Sequence, residues 1–215
     1  MSATFSPTVL LVHGILESGR RFRTMAAALR AVGRDVHVVS YRPNDGSVGI
    51  GRLADQLAEF VHTHLDPGLS FDLVGYSMGG LVCRYYLQKL GGGERVRRHV
   101  TLASPHRGTW MAYFLWNNAG RQMRPGSQFL TALNADMTWT NRVAWTSIWT
   151  PFDLMIVPGN RSKMDRAENR RVRVLLHPWM VTSPRVIRMV YRTLRLSGST
   201  SEVPAGEEKR QPGGE

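Results

Sequence analysis

The sequence predicts an α/β architecture, a mostly parallel sheet of about six strands with helices on both faces. Three observations point there. Short strand-like runs alternate with stretches of helical periodicity. A Gly-x-Ser-x-Gly turn, Gly75 to Gly79, joins one such run to one such helix. The 215 residues, 42% of them hydrophobic, can bury one core and are too few for two substantial domains.

The strand candidates are 8–12 (TVLLV), 36–40 (VHVVS), 71–74 (FDLV), 98–103 (RHVTLA), 144–148 (AWTSI) and 172–176 (VRVLL). Helical periodicity fills the gaps. Over 20–32, Phe22, Met25, Ala26 and Leu29 share a face, and Gly33 offers a stop. Over 52–65, Leu53, Leu57, Phe60, Val61 and Leu65 do the same. A helix over 78–90 runs into Gly91, Gly92 and Gly93, and one over 184–195 follows the Ser183-Pro184 start signal. Residues 107–142 break the alternation, with Trp110, Phe114, Trp116 and Trp139 among Gly, Asn and Pro. This insert reads either as a lid or acyl-binding wall, or as plain core packing. From Ser197 the chain is Gly, Ser, Pro and charge, which predicts a disordered tail over 197–215 after a domain over 1–196.

Formal charge is +12, and 25 of the 28 basic residues are arginine. The tail holds four of the acids and two of the bases, leaving 26 bases against 12 acids, or +14, on the body. Such a surface attracts phosphate-bearing partners and anionic lipid headgroups; a general arginine bias is the plainer account. The arginines are scattered, with no aromatic-interleaved stripe and no base-reading motif, so a nucleic-acid function is not expected. Cys83 is the sole cysteine, which excludes an internal disulfide and a cysteine metal cluster. No apolar run approaches the roughly 20 residues of a bilayer span, and the N-terminus lacks a secretory pattern. A cytoplasmic protein is expected, with peripheral contact to an anionic membrane surface; the oligomeric state stays open.

The chemistry starts at Ser77. A serine on a strained strand-to-helix turn lifts its hydroxyl above the sheet, and glycines two residues either way remove side chains that would collide with backbone. Gly80 allows close helix packing. The helix N-terminus places backbone N–H groups beside the serine. Serine needs a base to take its proton, and in sheets of this kind the order is Ser, then Asp or Glu, then His. Of seven histidines, only His177 lies beyond both the nucleophile and all plausible acids. Asp136, Asp153 and Asp165 compete as the acid, with Glu94 and Glu168 more remote. Asp153 is preferred because it follows the strand-like AWTSIW. Two oxyanion donors are expected: the N–H of Met78, directly after the nucleophile, and that of Ile15, after the turn at His13-Gly14.

Together these segments resemble the α/β-hydrolase fold, and more closely its small bacterial lipases and esterases. LLVHGILESG is similar to the lipase oxyanion segment, FDLVGYSMGGLVCRYY to the nucleophile elbow, and VTLASPHRGTW to the stretch after the following strand. TSIWTPFDLMIVP resembles the acid loop and LLHPWMVTSPRV the histidine loop. The similarity runs from about Thr8 to Leu194 and begins at the strand bearing the oxyanion segment. It implies Ser77 as nucleophile, Asp153 as acid and His177 as base, with Ile15 and Met78 as oxyanion donors; His106 matches a position usually read as structural. Leu176 precedes His177 where these lipases usually have glycine, and Phe152 precedes Asp153. The implied activity is hydrolysis of carboxylic esters of acyl or lipid type, needing neither metal nor organic cofactor. A thioesterase or acyltransferase would use the same residues, and a hydrolase-like scaffold that only binds lipid or protein is the rival outside enzymes.

Overall fold

Strands β1 (Val9–Val12) and β3 (Phe71–Tyr76) are buried at every position. Strands of a parallel sheet covered on both faces read as continuous apolar runs for this reason. With β2 (Val36–Val39), β4 (Val96–Leu102), β5 (Ala144–Trp149) and β6 (Glu168–Arg171) they form one six-stranded sheet in the order β2-β1-β3-β4-β5-β6. All pairs are parallel. The computed structural model describes residues 7–195; the predicted tail lies outside them.

Helices α1 (Arg23–Ala31), α2 (Ile50–His64), α3 (Met78–Lys89), α4 (Asn118–Gln122), α5 (Gln128–Ala135) and α6 (Pro184–Arg195) fill the connections. One core packs Leu53 and Leu57 of α2 and Leu81 of α3 against Leu10, Val12 and Leu73 of the sheet. The other packs Met25 and Leu29 of α1 and Val186 and Val190 of α6 against Val9, Leu11 and Val74. The alternating inward directions of β1 thus feed two cores, and each fully buried leucine or valine contributes about 1.5–3 kcal/mol. Helices do cover both faces. Among the described residues no helix is long and apolar enough to cross a membrane.

Several boundaries differ from the sequence expectation by a residue or two, and three differences matter for the fold. The last strand is Glu168–Arg171, not 172–176. It is an edge strand paired only with β5, so polar residues are tolerated there, and ladder pairing reaches just to the amide of Val172, which donates to Trp149 O at 2.9 Å. The buried Val172 and Val174 pack into the second core without forming a strand. Helix α2 begins at Ile50 because its first free amide donates to Gln122 Oε1 of α4 at 2.7 Å, a cap 72 residues away. Finally, α1 is preceded by a 3-10 turn over Gly19–Phe22.

Residues 107–142 carry both buried and exposed apolar side chains. Ala112, Ala119, Met123, Leu130, Leu133 and Trp139 join the first core, while Trp110, Tyr113, Phe114 and Trp116 remain exposed.

Candidate active site

Every predicted site residue falls at the carboxyl end of the sheet, where open parallel sheets carry their sites. Ser77 follows β3 and starts α3, with φ 54° and ψ −127°. For a non-glycine residue this backbone is costly, and the surroundings enforce it. Its amide donates to Leu102 O at 2.9 Å, and its carbonyl accepts from Gly80 N at 3.1 Å. A Cβ on Gly75 would stand 2.6 Å from Gly80 Cα, and one on Gly79 would stand 2.3 Å from Val12 O and 2.4 Å from His13 O. Both glycines are therefore required by close backbone approach, as the elbow geometry predicts.

The loop after β1 lies directly against the serine. A Cβ on Gly14 would be 3.0 Å from Ser77 Cβ and 3.5 Å from its Oγ. This loop is held in place by the segment after β2. Leu16 N donates to Asn44 O at 2.8 Å, Asn44 Nδ2 donates to Glu17 O, and the Tyr41 hydroxyl donates to His13 O. The His13 ring tilts against Tyr41 with centroids 4.4 Å apart, and burial lowers its pKa. Ile15, partly buried against the first core, follows Gly14. Met78 is the first residue of α3, so its N–H has no carbonyl of its own helix to bond.

Asp153 sits in the turn after β5 and His177 in the loop after β6. His177 Nδ1 and Asp153 Oδ2 are 2.8 Å apart, and both residues are buried. The other carboxylate oxygen, Oδ1, accepts the backbone amides of Met155 at 2.8 Å and Ile156 at 2.9 Å. An ionised carboxylate can only accept, so Nδ1 carries the proton and Nε2 is left as the basic nitrogen. The imidazole packs on the ring of Tyr76, the residue before Ser77, at 4.9 Å between centroids. Leu176 has φ −113° and ψ 134°, ordinary extended backbone, so the chain enters this loop without a glycine.

The competing residues are engaged elsewhere. Asp136 contacts Lys89 and Thr138, Asp165 pairs with Arg107, and Glu168 pairs with Arg170. His106 is fully buried, with Nε2 3.0 Å from Thr101 Oγ1 and its ring edge-on to Trp145.

Two features were missed in the sequence. The first is Arg84 of α3, fully buried and without a carboxylate partner among the described residues. It donates to Leu133 O at 2.9 Å, lies over the Trp145 ring at 5.2 Å and approaches His106 Nδ1 at 3.5 Å. Burial pulls its pKa down to about 9 and that of nearby His99 to about 3. This contact ties the insert to the helix that Ser77 begins. Nothing in a helical pattern marks Arg84 as internal. The second is that exposed apolar side chains of three further loops, Leu16, Leu154 and Trp179, join the insert's Trp110, Phe114 and Trp116 in an apolar rim. All six are at least half or nearly half exposed, from loops that follow β1, β4, β5 and β6. They are separated by up to 163 positions, yet all belong to segments that leave the carboxyl ends of parallel strands, on one side of the sheet.

No group of three or more His, Cys, Asp or Glu side chains suited to a metal ion occurs among the described residues. Residues 7–170 match the family model for the alpha/beta hydrolase fold. Solved structures agree on the fold. The mature Bacillus licheniformis lipase BlEst2 superposes with TM-score 0.75 at 16% identity, over 88% of this chain and 92% of that one. A lipase-esterase related protein of Clostridium acetobutylicum gives TM-score 0.64 at 14% identity, over 88% and 95%. Aspergillus fumigatus lipase B gives 0.71 at 16% identity, over 92% of this chain and 56% of that one. With its six parallel strands, its serine elbow and that match over most of its length, this chain belongs to the α/β-hydrolase fold family.

Proposed function

We propose that the protein is a serine hydrolase of carboxylic esters, acting on acyl or lipid esters through Ser77, His177 and Asp153. The observation that carries the reading is the Asp153–His177 hydrogen bond held beside the strained Ser77 turn. In the first half-reaction Ser77 Oγ bonds to the ester carbonyl carbon while its proton passes to His177 Nε2. The oxyanion is held by the amides of Met78 and Ile15, each such donor being worth about 3–4 kcal/mol. The C–O bond to the alcohol then breaks as Nε2 returns the proton to it. Water, activated by the same nitrogen, attacks the acyl-enzyme, and the acid leaves with Ser77 restored. Asp153 keeps the imidazole in the tautomer that frees Nε2 and stabilises its charged form.

The exposed apolar rim supports an acyl or lipid substrate, in keeping with the two lipases and the lipase-esterase related protein that share the fold. With the +14 body, the same rim supports peripheral contact with an anionic membrane surface. The test is labelling by a fluorophosphonate probe together with turnover of a chain-length series of 4-nitrophenyl esters. Wild type is expected to label and turn over, and Ser77→Ala to do neither. Labelling that survives in the alanine variant, or a wild type inert toward every ester and thioester, would overturn the proposal.

A further inference from the structure

A cleft of about 760 Å³ opens between Leu16, which follows Ile15 in the loop after β1, and Thr182, five residues after His177. Leu16 and Glu17 form one wall, Thr182 the other, and Arg20, Arg21 and Arg23 line it from the 3-10 turn and the start of α1. Glu17 pairs with Arg21. Among the described residues neither Arg20 nor Arg23 has a carboxylate partner. The cleft therefore carries a net charge of +2 from these four side chains, which matches the roughly −1.5 to −2 of a phosphate monoester.

Its link to the reacting serine runs through Phe22, the residue between Arg21 and Arg23. The Phe22 ring meets Tyr76 edge-on at 6.5 Å, and Tyr76 in turn packs on His177 at 4.9 Å. Burial holds the Tyr76 phenol far above its ordinary range, and the charges that act on it next are Glu17, Arg21 and Asp153. One buried hydroxyl thus lies in the fields of both the cleft and the candidate triad. Apart from Leu16, the exposed apolar side chains of the rim follow β4, β5 and β6, whereas the arginines follow β1 on the other side of β3. The insert after β4 nonetheless reaches back to the loop after β2, where Asn117 and Asn118 donate to Asp45 O and Ser47 O.

We propose that this cleft is a phosphate subsite for the leaving group, so that the preferred substrates are acyl esters or thioesters whose alcohol or thiol portion carries phosphate. The inference rests on the ester-hydrolase reading above. The acyl chain lies toward the rim after β4–β6, the carbonyl at Ser77, and the phosphate against Arg20 and Arg23. Glycerophosphate esters and coenzyme A thioesters share this chemistry.

The experiment compares 1-decanoylglycerol 3-phosphate, decanoyl-coenzyme A and neutral 1-decanoylglycerol as substrates of wild type and of the double variant Arg20→Gln/Arg23→Gln. The ratio of kcat/KM for the phosphorylated to the neutral substrate is expected to fall about tenfold in the variant, chiefly through KM, as for loss of two solvent-facing charge contacts. The phosphorylated substrate that loses more identifies the source. An unchanged ratio for both overturns the subsite. A second arm measures glycerol 3-phosphate binding by calorimetry at low ionic strength, with no turnover required. Saturable binding that weakens in the variant and with added salt supports the subsite, and no binding to wild type overturns it. If the probe binds but no ester or thioester is cleaved, phosphate binding in the cleft stands, while its leaving-group role falls with the hydrolase reading.

Discussion

Replacing Asp153 with asparagine keeps the size and planarity of the side chain and changes one end of it. Oδ1 accepts two backbone amides, from Met155 and Ile156, and Oδ2 faces His177 Nδ1. An asparagine can satisfy both amides only by keeping its carbonyl oxygen on their side. Its NH2 then faces Nδ1, which must become an acceptor. The ring proton moves to Nε2, the nitrogen that takes the Ser77 proton in the proposed reaction. The base is therefore lost although the imidazole stays in place. The same exchange in Ser-His-Asp enzymes costs about 10⁴ in kcat, which at 1.36 kcal/mol per tenfold is roughly 5 kcal/mol of barrier. Stability should hardly change, because both backbone bonds survive. Asp153→Ala instead strips the partner from the buried Ile156 amide, a cost of about 1–3 kcal/mol. The assay is kcat and KM on 4-nitrophenyl butyrate beside urea midpoints for wild type and both variants. If Asp153→Asn keeps more than about a tenth of wild-type kcat, or is destabilised as much as Asp153→Ala, the argument is wrong.

Three further outcomes are expected. Gly79→Ala puts a methyl 2.3 Å from Val12 O, and ordinary contact needs α3 to retreat from β1 by roughly 1 Å; about 1–3 kcal/mol of stability and on the order of 10²-fold in fluorophosphonate labelling rate should be lost, and labelling at the wild-type rate would contradict this. Burial lowers His99 to about 3 and His106 well below the ordinary imidazole value. Both are neutral in the fold, so the stability from this difference is complete above pH 6.5 and is lost as pH falls toward 3, at about 1.4 kcal/mol per unit per histidine; urea midpoints at pH 7 and pH 5 should show the drop, and an equal or higher midpoint at pH 5 would refute it. Sedimentation with phosphatidylglycerol vesicles at low salt should exceed that with phosphatidylcholine vesicles and fall about tenfold in Phe114→Ser/Trp116→Ser; binding indifferent to lipid charge and to both aromatics would remove the membrane contact.

Much of the fold was legible because its signals are local. Buried branched runs at Val9–Val12 and Phe71–Tyr76, a helical stripe at Leu53, Leu57 and Val61, and a glycine-framed serine each record a backbone constraint within a few residues. The last strand was misplaced for the converse reason: at a sheet edge, pairing with β5 selects residues 168–171, and Val172 and Val174 record burial rather than strand. Leu176 likewise stands in for the usual glycine because the loop there needs only extended backbone.

The sequence by itself determined the class of sheet, the turn that strains Ser77, and the chain order of the proposed nucleophile, acid and base, since each is written in nearest-neighbour sterics and chain order. Only the tertiary structure decided that Asp153 rather than Asp136 or Asp165 meets His177, that Arg84 is buried against Trp145, and that Arg20 and Arg23 share a cleft with the loop carrying that histidine. Such choices depend on which of many side chains at strand ends come within a few ångströms, and packing sets those distances between positions tens of residues apart.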